Sequence, residues 1–116
     1  MGFAVEGSSS VGYPVRGIVR AADPDPGQEI SGGDTTAPRL DPDASRHHFS
    51  IDYVPDPDGT GTLTVTLDGQ PSSLQVTAQQ RVDGATLTRF GICQFTDSGN
   101  GPSQAIYYDS LAYTAS

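Results

Sequence analysis

The residues of this sequence that could do chemistry are its carboxylates, arginines, histidines and tyrosines. Asp52, Asp56 and Asp58 crowd the end of an alternating segment and the Asp-Pro-Asp-Gly loop that follows it. Ca²⁺ collects carboxylate and carbonyl oxygens from loops of this kind, so calcium is the one cofactor these residues suggest. An EF-hand loop begun at Asp56 would need Glu where the chain has Leu67, and Asp-Pro-Asp-Gly equally suits a hairpin loop that only turns the chain. Turning is the plainer reading. Asp23-Pro24-Asp25 and Asp41-Pro42-Asp43 repeat the pattern, and the three loops would make a cation site if they met in space.

Arg16 and Arg20 stand four apart on an alternating segment, so both project to one face with Ile18 between them. Guanidinium forks suit carboxylates, sulfates and sugar hydroxyls; in an acidic chain their plainer use is pairing with Asp. His47 and His48 are adjacent on extended chain and point to opposite faces, so they do not chelate one metal together. His48 shares the polar face of its strand with Asp52 and is a candidate glycan contact, or an ordinary surface histidine. Among the five tyrosines, Tyr108 is the one whose face the core does not claim, which leaves it free to stack on a sugar ring. Cys93 has no adjacent base or cation and reads as a small buried residue. Neither a Gly-x-Ser-x-Gly elbow nor a phosphate-cradling glycine loop is present.

The elements that must position these side chains are strands. Phe49, Ile51 and Tyr53 alternate with His48, Ser50 and Asp52, and Leu63, Val65 and Leu67 alternate with short polar residues over 62–68. Between them, Pro55 to Gly61 breaks the ladder and turns it, giving a hairpin with a seven-residue loop. Asp68-Gly69 is a tight-turn dipeptide leading into a third strand over 73–77, and Asp83-Gly84 marks another turn. Further strands are expected over 3–6, 13–20, 85–95 and 104–114, and no segment carries a helical period. The segment 22–45 is rich in Pro, Gly and Asp; it reads as a functional loop, a disordered excursion or an edge strand around Ile30.

A chain of 116 residues is one domain or part of one. Fourteen acids oppose six arginines, with no lysine, for a net charge of −8. That balance excludes a nucleic-acid partner, which needs a clustered basic face, and the chain has no apolar run long enough for membrane insertion. One cysteine excludes an internal disulfide.

Taken in order, Phe3-Ala4-Val5-Glu6-Gly7, the segment 48–53, Gly61-Thr62-Leu63-Thr64-Val65-Thr66-Leu67-Asp68-Gly69, Asp83-Gly84-Ala85-Thr86-Leu87-Thr88-Arg89-Phe90-Gly91 and Ile106-Tyr107-Tyr108-Asp109-Ser110-Leu111-Ala112-Tyr113-Thr114 resemble successive strands of bacterial concanavalin-A-like (laminin-G-like) lectin and glucanase domains. The resemblance implies an all-β, antiparallel two-sheet sandwich of jelly-roll type, of which this chain is expected to be the larger, C-terminal portion. Glucanases on that fold cleave with clustered acids, two Glu flanking an Asp, and here the two glutamates, Glu6 and Glu29, are far apart. The expectation is therefore a non-catalytic module, extracellular or at the cell surface, that binds a polysaccharide or glycoconjugate through Arg16, Arg20, His48 and Tyr108. The alternative is a structural or protein-interaction domain of a larger extracellular protein, with other domains as its partners.

Overall fold

A computed structural model of the chain describes residues 1–5, 12–20, 29–31, 37–41, 43, 45–87, 110, 112 and 114. Its elements run β1 (Gly2–Val5), β2 (Tyr13–Arg20), β3 (Glu29–Ser31), β4 (Arg39–Leu40), β5 (Phe49–Pro55), β6 (Gly61–Leu67), β7 (Gln70–Val76) and α1 (Ala78–Val82). The protein is mostly β, in two antiparallel sheets. No helix among the described residues is long and apolar enough to cross a membrane.

β5, β6 and β7 form a three-stranded meander, with Phe49 opposite Leu67, Ile51 opposite Val65 and Tyr53 opposite Leu63. Directly opposed residues share a face, so these three pairs build one apolar surface. On β6 the alternation is complete: Leu63, Val65 and Leu67 are buried and Thr62, Thr64 and Thr66 are half-buried on the other side. The β6–β7 turn has both central residues at positive φ, Asp68 at 50° and Gly69 at 83°. A two-residue hairpin of this hand matches the twist of its strands, and Asp and Gly tolerate the conformation.

The second sheet is centred on β2. β1 pairs along one edge, from Gly2 opposite Ile18 to Val5 opposite Val15, while β3 pairs with the last three residues of β2 and β4 with its first two. Val15 and Val19 point at the meander. Val15 joins Val65 and Leu67 in one buried cluster, and Val19 joins Leu63, Val76 and Ala85 in the other. Between them, a Cβ on Gly17 would lie 3.3 Å from Leu63 Cδ2 and 3.4 Å from the Leu74 Cβ, so the sheets touch where β2 carries no side chain. Phe3 of β1 stacks on Phe49 of β5, ring centroids 5.5 Å apart. The result is sandwich-like, its core lying between the two sheets.

β2 has the bounds that its alternation predicts, and an edge strand forms at Ile30 inside the Pro/Gly/Asp-rich segment. Other boundaries shift. The first hairpin closes over five residues, 56–60, because Pro55 and Gly61 still pair. β7 begins at Gln70 and not at Ser73, since the tight turn puts the chain straight back into register. The expectation of no helix is corrected by α1, a single turn held by a capping box in which Thr77 Oγ1 accepts from the Gln80 amide while Gln80 Oε1 accepts from the Thr77 amide. Five residues are too few for periodicity to register, but the Thr-x-x-Gln spacing was there to be read. Residues 85–87 lie outside any strand, and the strands expected beyond them fall almost entirely outside the described residues.

Candidate functional site

The alternation that builds the core also builds an outer face on the meander. β5 contributes Ser50, Asp52 and Val54, β6 contributes Thr62, Thr64 and Thr66, and β7 contributes Pro71, Ser73 and Gln75, in the pairings Ser50–Thr66–Pro71, Asp52–Thr64–Ser73 and Val54–Thr62–Gln75. His48 precedes β5 and continues its ladder, because its carbonyl accepts from the Asp68 amide at 2.9 Å; alternation sets it on the same side as Ser50. Thr64 and Ser73 hydroxyls hydrogen-bond at 3.0 Å, and Thr62 Oγ1 donates to Gln75 Oε1 at 3.4 Å. This face is a lattice of hydroxyl, amide and carboxylate groups with two exposed apolar residues at opposite corners, Pro71 and Val54, the latter 61 % accessible. Strands about 4.8 Å apart with like-facing residues about 6.8 Å apart along each strand give it regular spacing.

The predicted site residues divide between the two sides of the molecule. His48 and Asp52 come together on the outer face of the meander. Arg16 is half-buried on the opposite sheet, on the face of β2 that points away from the meander, beside Ile18 at 3 % exposure. Arg20 ends β2, but its side chain lies outside the described residues, as do Tyr108, Cys93 and Asp23-Pro24-Asp25. Arg16 therefore does not share a surface with His48.

Asp56 and Asp58 are occupied in closing their own loop. Thr60 donates to Asp58 Oδ1 through its hydroxyl at 2.6 Å and its amide at 3.0 Å, while the Asp56 carbonyl accepts from Gly59 at 3.1 Å. The two Thr60 bonds, the hydroxyl foremost, hold the Asp58 carboxyl below the ordinary value. Asp52 stays on the strand, facing out. Among the described residues, no three His, Cys, Asp or Glu side chains are grouped so as to hold a metal ion.

Sequence reasoning missed a second constellation. Asp43, Ser45 and His47 meet Asp68 from the β6–β7 turn, 21 positions from His47. His47 Nδ1 donates to Asp68 Oδ2 at 2.7 Å, and His47 Nε2 lies 3.5 Å from Asp43 Oδ1 and 3.4 Å from Ser45 Oγ. Ser45 gives its hydroxyl hydrogen and its amide to Asp43 Oδ1, and Asp68 Oδ1 also accepts from the His48 amide at 2.8 Å. The order Ser45, His47, Asp68 is that of a nucleophile, base and orienting acid, but the chemistry differs. The Asp68 hydrogen bond, aided by the charges of Asp68 and Asp43, holds His47 above the ordinary histidine value against its partial burial. The Ser45 hydroxyl hydrogen goes to Asp43 Oδ1 and not to the imidazole. The reciprocal bonds lower both carboxyls, Asp68 chiefly through His47 and Asp43 chiefly through Ser45. Only the β5–β6 register brings these groups together, so no local motif could have announced them.

Comparison with protein-family models, with characterised proteins and with solved structures finds no match to this chain.

Proposed function

We propose that the protein is a non-catalytic carbohydrate-binding β-sandwich module of concanavalin-A-like, jelly-roll type, which takes a polysaccharide or glycoconjugate on the outer face of β5, β6 and β7. The observation that carries this reading is the composition of that face. Its hydroxyls, amide and single carboxylate are the groups that exchange hydrogen bonds with sugar hydroxyls, and they stand on rigid strands rather than on loops. Asp52, beside the central Thr64, and His48 at one end are the charged or titratable contacts, and Val54 is the apolar patch for a sugar's C–H surface. Arg16, on the other sheet, takes no part. The resemblance of the strand order supports an extracellular or cell-surface setting within a larger protein.

One observation favours the alternative, a structural or protein-interaction domain with no glycan ligand: the chain has no Trp, and among the described residues no aromatic ring other than the His48 imidazole lies on the face to stack on a sugar. A glycan array of neutral and acidic polysaccharides, read with and without calcium, separates the two. The glycan reading expects binding that Asp52→Ala and Thr64→Val abolish while the thermal midpoint holds. Silence across the array in both conditions sinks it.

A further inference from the structure

We propose that Asp43, His47 and Asp68 form a proton-operated clasp that fastens the segment 43–48 onto the β6–β7 turn while His47 is charged and loosens it when His47 is neutral. The imidazole sits between two carboxylates that come from different parts of the chain, at 2.7 Å on the Asp68 side and 3.5 Å on the Asp43 side. Both ring nitrogens must carry hydrogen for both contacts to be attractive. A neutral ring keeps its Nδ1–H on Asp68 but loses the charge that strengthens that bond, and its Nε2 lone pair then faces Asp43, so deprotonation weakens the hold on the turn and makes the second contact repulsive. The groups facing His47 are Asp43 and Ser45 from its own segment and Asp68 from the turn, while the imidazole of His48 also acts on Asp68. His47 side-chain exposure of 20 % keeps it within reach of solvent protons.

What moves is defined by the remaining bonds. Asp68 also holds the His48 amide, and its own amide bonds the His48 carbonyl, so the turn extends the β5–β6 ladder by one residue pair beyond Phe49 and Leu67. Loosening the His47 contact frees the chain before β5 and leaves that last pair to fray, while the ladder from Phe49 onward is untouched. The device meets the proposed glycan face only at His48, and its test does not depend on glycan binding.

Asp68→Asn removes the acceptor and the charge that hold His47 while sparing the turn, because Asn tolerates positive φ as well as Asp does and its single amide oxygen can still accept from the His48 amide. Histidine NMR titration of the full chain, paired with amide exchange corrected for intrinsic pH dependence, reads the clasp. In the native protein His47 titrates above its value in the urea-unfolded chain, and protection at Ser45 and His48 falls as the pH passes that midpoint, with Val65 unchanged. In Asp68→Asn the His47 midpoint drops toward the unfolded value and the pH dependence of protection is lost; Asp43→Asn lowers the midpoint by less. Protection at Ser45 and His48 that ignores the His47 titration, or a midpoint that neither variant moves, overturns the proposal.

Discussion

Tyr53 and Gly61 show how far a single side chain's placement depends on a neighbour that lacks one. A Cβ on Gly61 would come within 2.6 Å of the Tyr53 ring, and the guanidinium of Arg81 lies 5.0 Å from the centroid of the same ring. The tyrosine thus lies across the end of β6 and joins α1 to the meander through a cation–π contact. Gly61→Ala forces the ring out, at about 1–3 kcal/mol by the usual cost of overpacking. Chemical denaturation of a double-mutant cycle checks the cause: in a Tyr53→Ala background the same substitution should cost much less, and equal costs in both backgrounds would show that the ring is not responsible. Asp58 carries a plainer lesson at this scale. Its carboxylate is engaged by Thr60, so the residues that looked most like ion ligands in the sequence serve the turn.

At the scale of elements, the tight β6–β7 turn sets the register of the meander and hence the outer face. Gly69 has φ of 83° and no heavy atom within 4 Å of its missing Cβ, so Gly69→Ala meets no clash and pays only for backbone conformation, about 1–2 kcal/mol. A urea midpoint that falls with an unchanged slope is the expected reading; an unchanged midpoint would mean that the turn has relaxed to another type. The elements also mark what the sequence could disclose. Strict alternation over Phe49–Tyr53 and Leu63–Leu67, closed by Asp68-Gly69, made two strands and their inward faces legible, because period and turn chemistry agreed. β3 and β4 were obscure for a physical reason: at three and two residues they exist through pairing with β2 and not through any pattern of their own. The Asp43–His47–Asp68 constellation was illegible for the same reason, since its partners become neighbours only through a register that spans the β5–β6 hairpin.

For the molecule as a whole, the described network sets a pH window. His47 is raised above its ordinary 6.5, so its contribution to stability is complete below that value and is lost as pH rises through the raised one. Asp43, Asp58 and Asp68 are lowered from 3.8, so theirs is present above that value and lost as pH falls through the lowered ones. These groups therefore favour the fold most between about 3.8 and 6.5, and His47→Gln should flatten the alkaline side of a plot of urea midpoint against pH. A midpoint that climbs through neutrality in the parent chain, or an alkaline limb the substitution leaves unchanged, would contradict this. The core is indifferent to all of it: Leu63, Val65, Val15, Val19 and Val76 are sealed between two sheets, leaving the outer face free to be polar.

Residue-resolved NMR of the labelled chain, titrated with array-selected oligosaccharides, reads whether this polar face binds carbohydrate. Saturable shifts confined to the outer face, at His48, Ser50, Asp52, Val54, Thr62, Thr64, Ser73 and Gln75, and absent in Asp52→Ala, are the predicted result. Unperturbed spectra, or shifts centred on Arg16 and the opposite sheet, would contradict it.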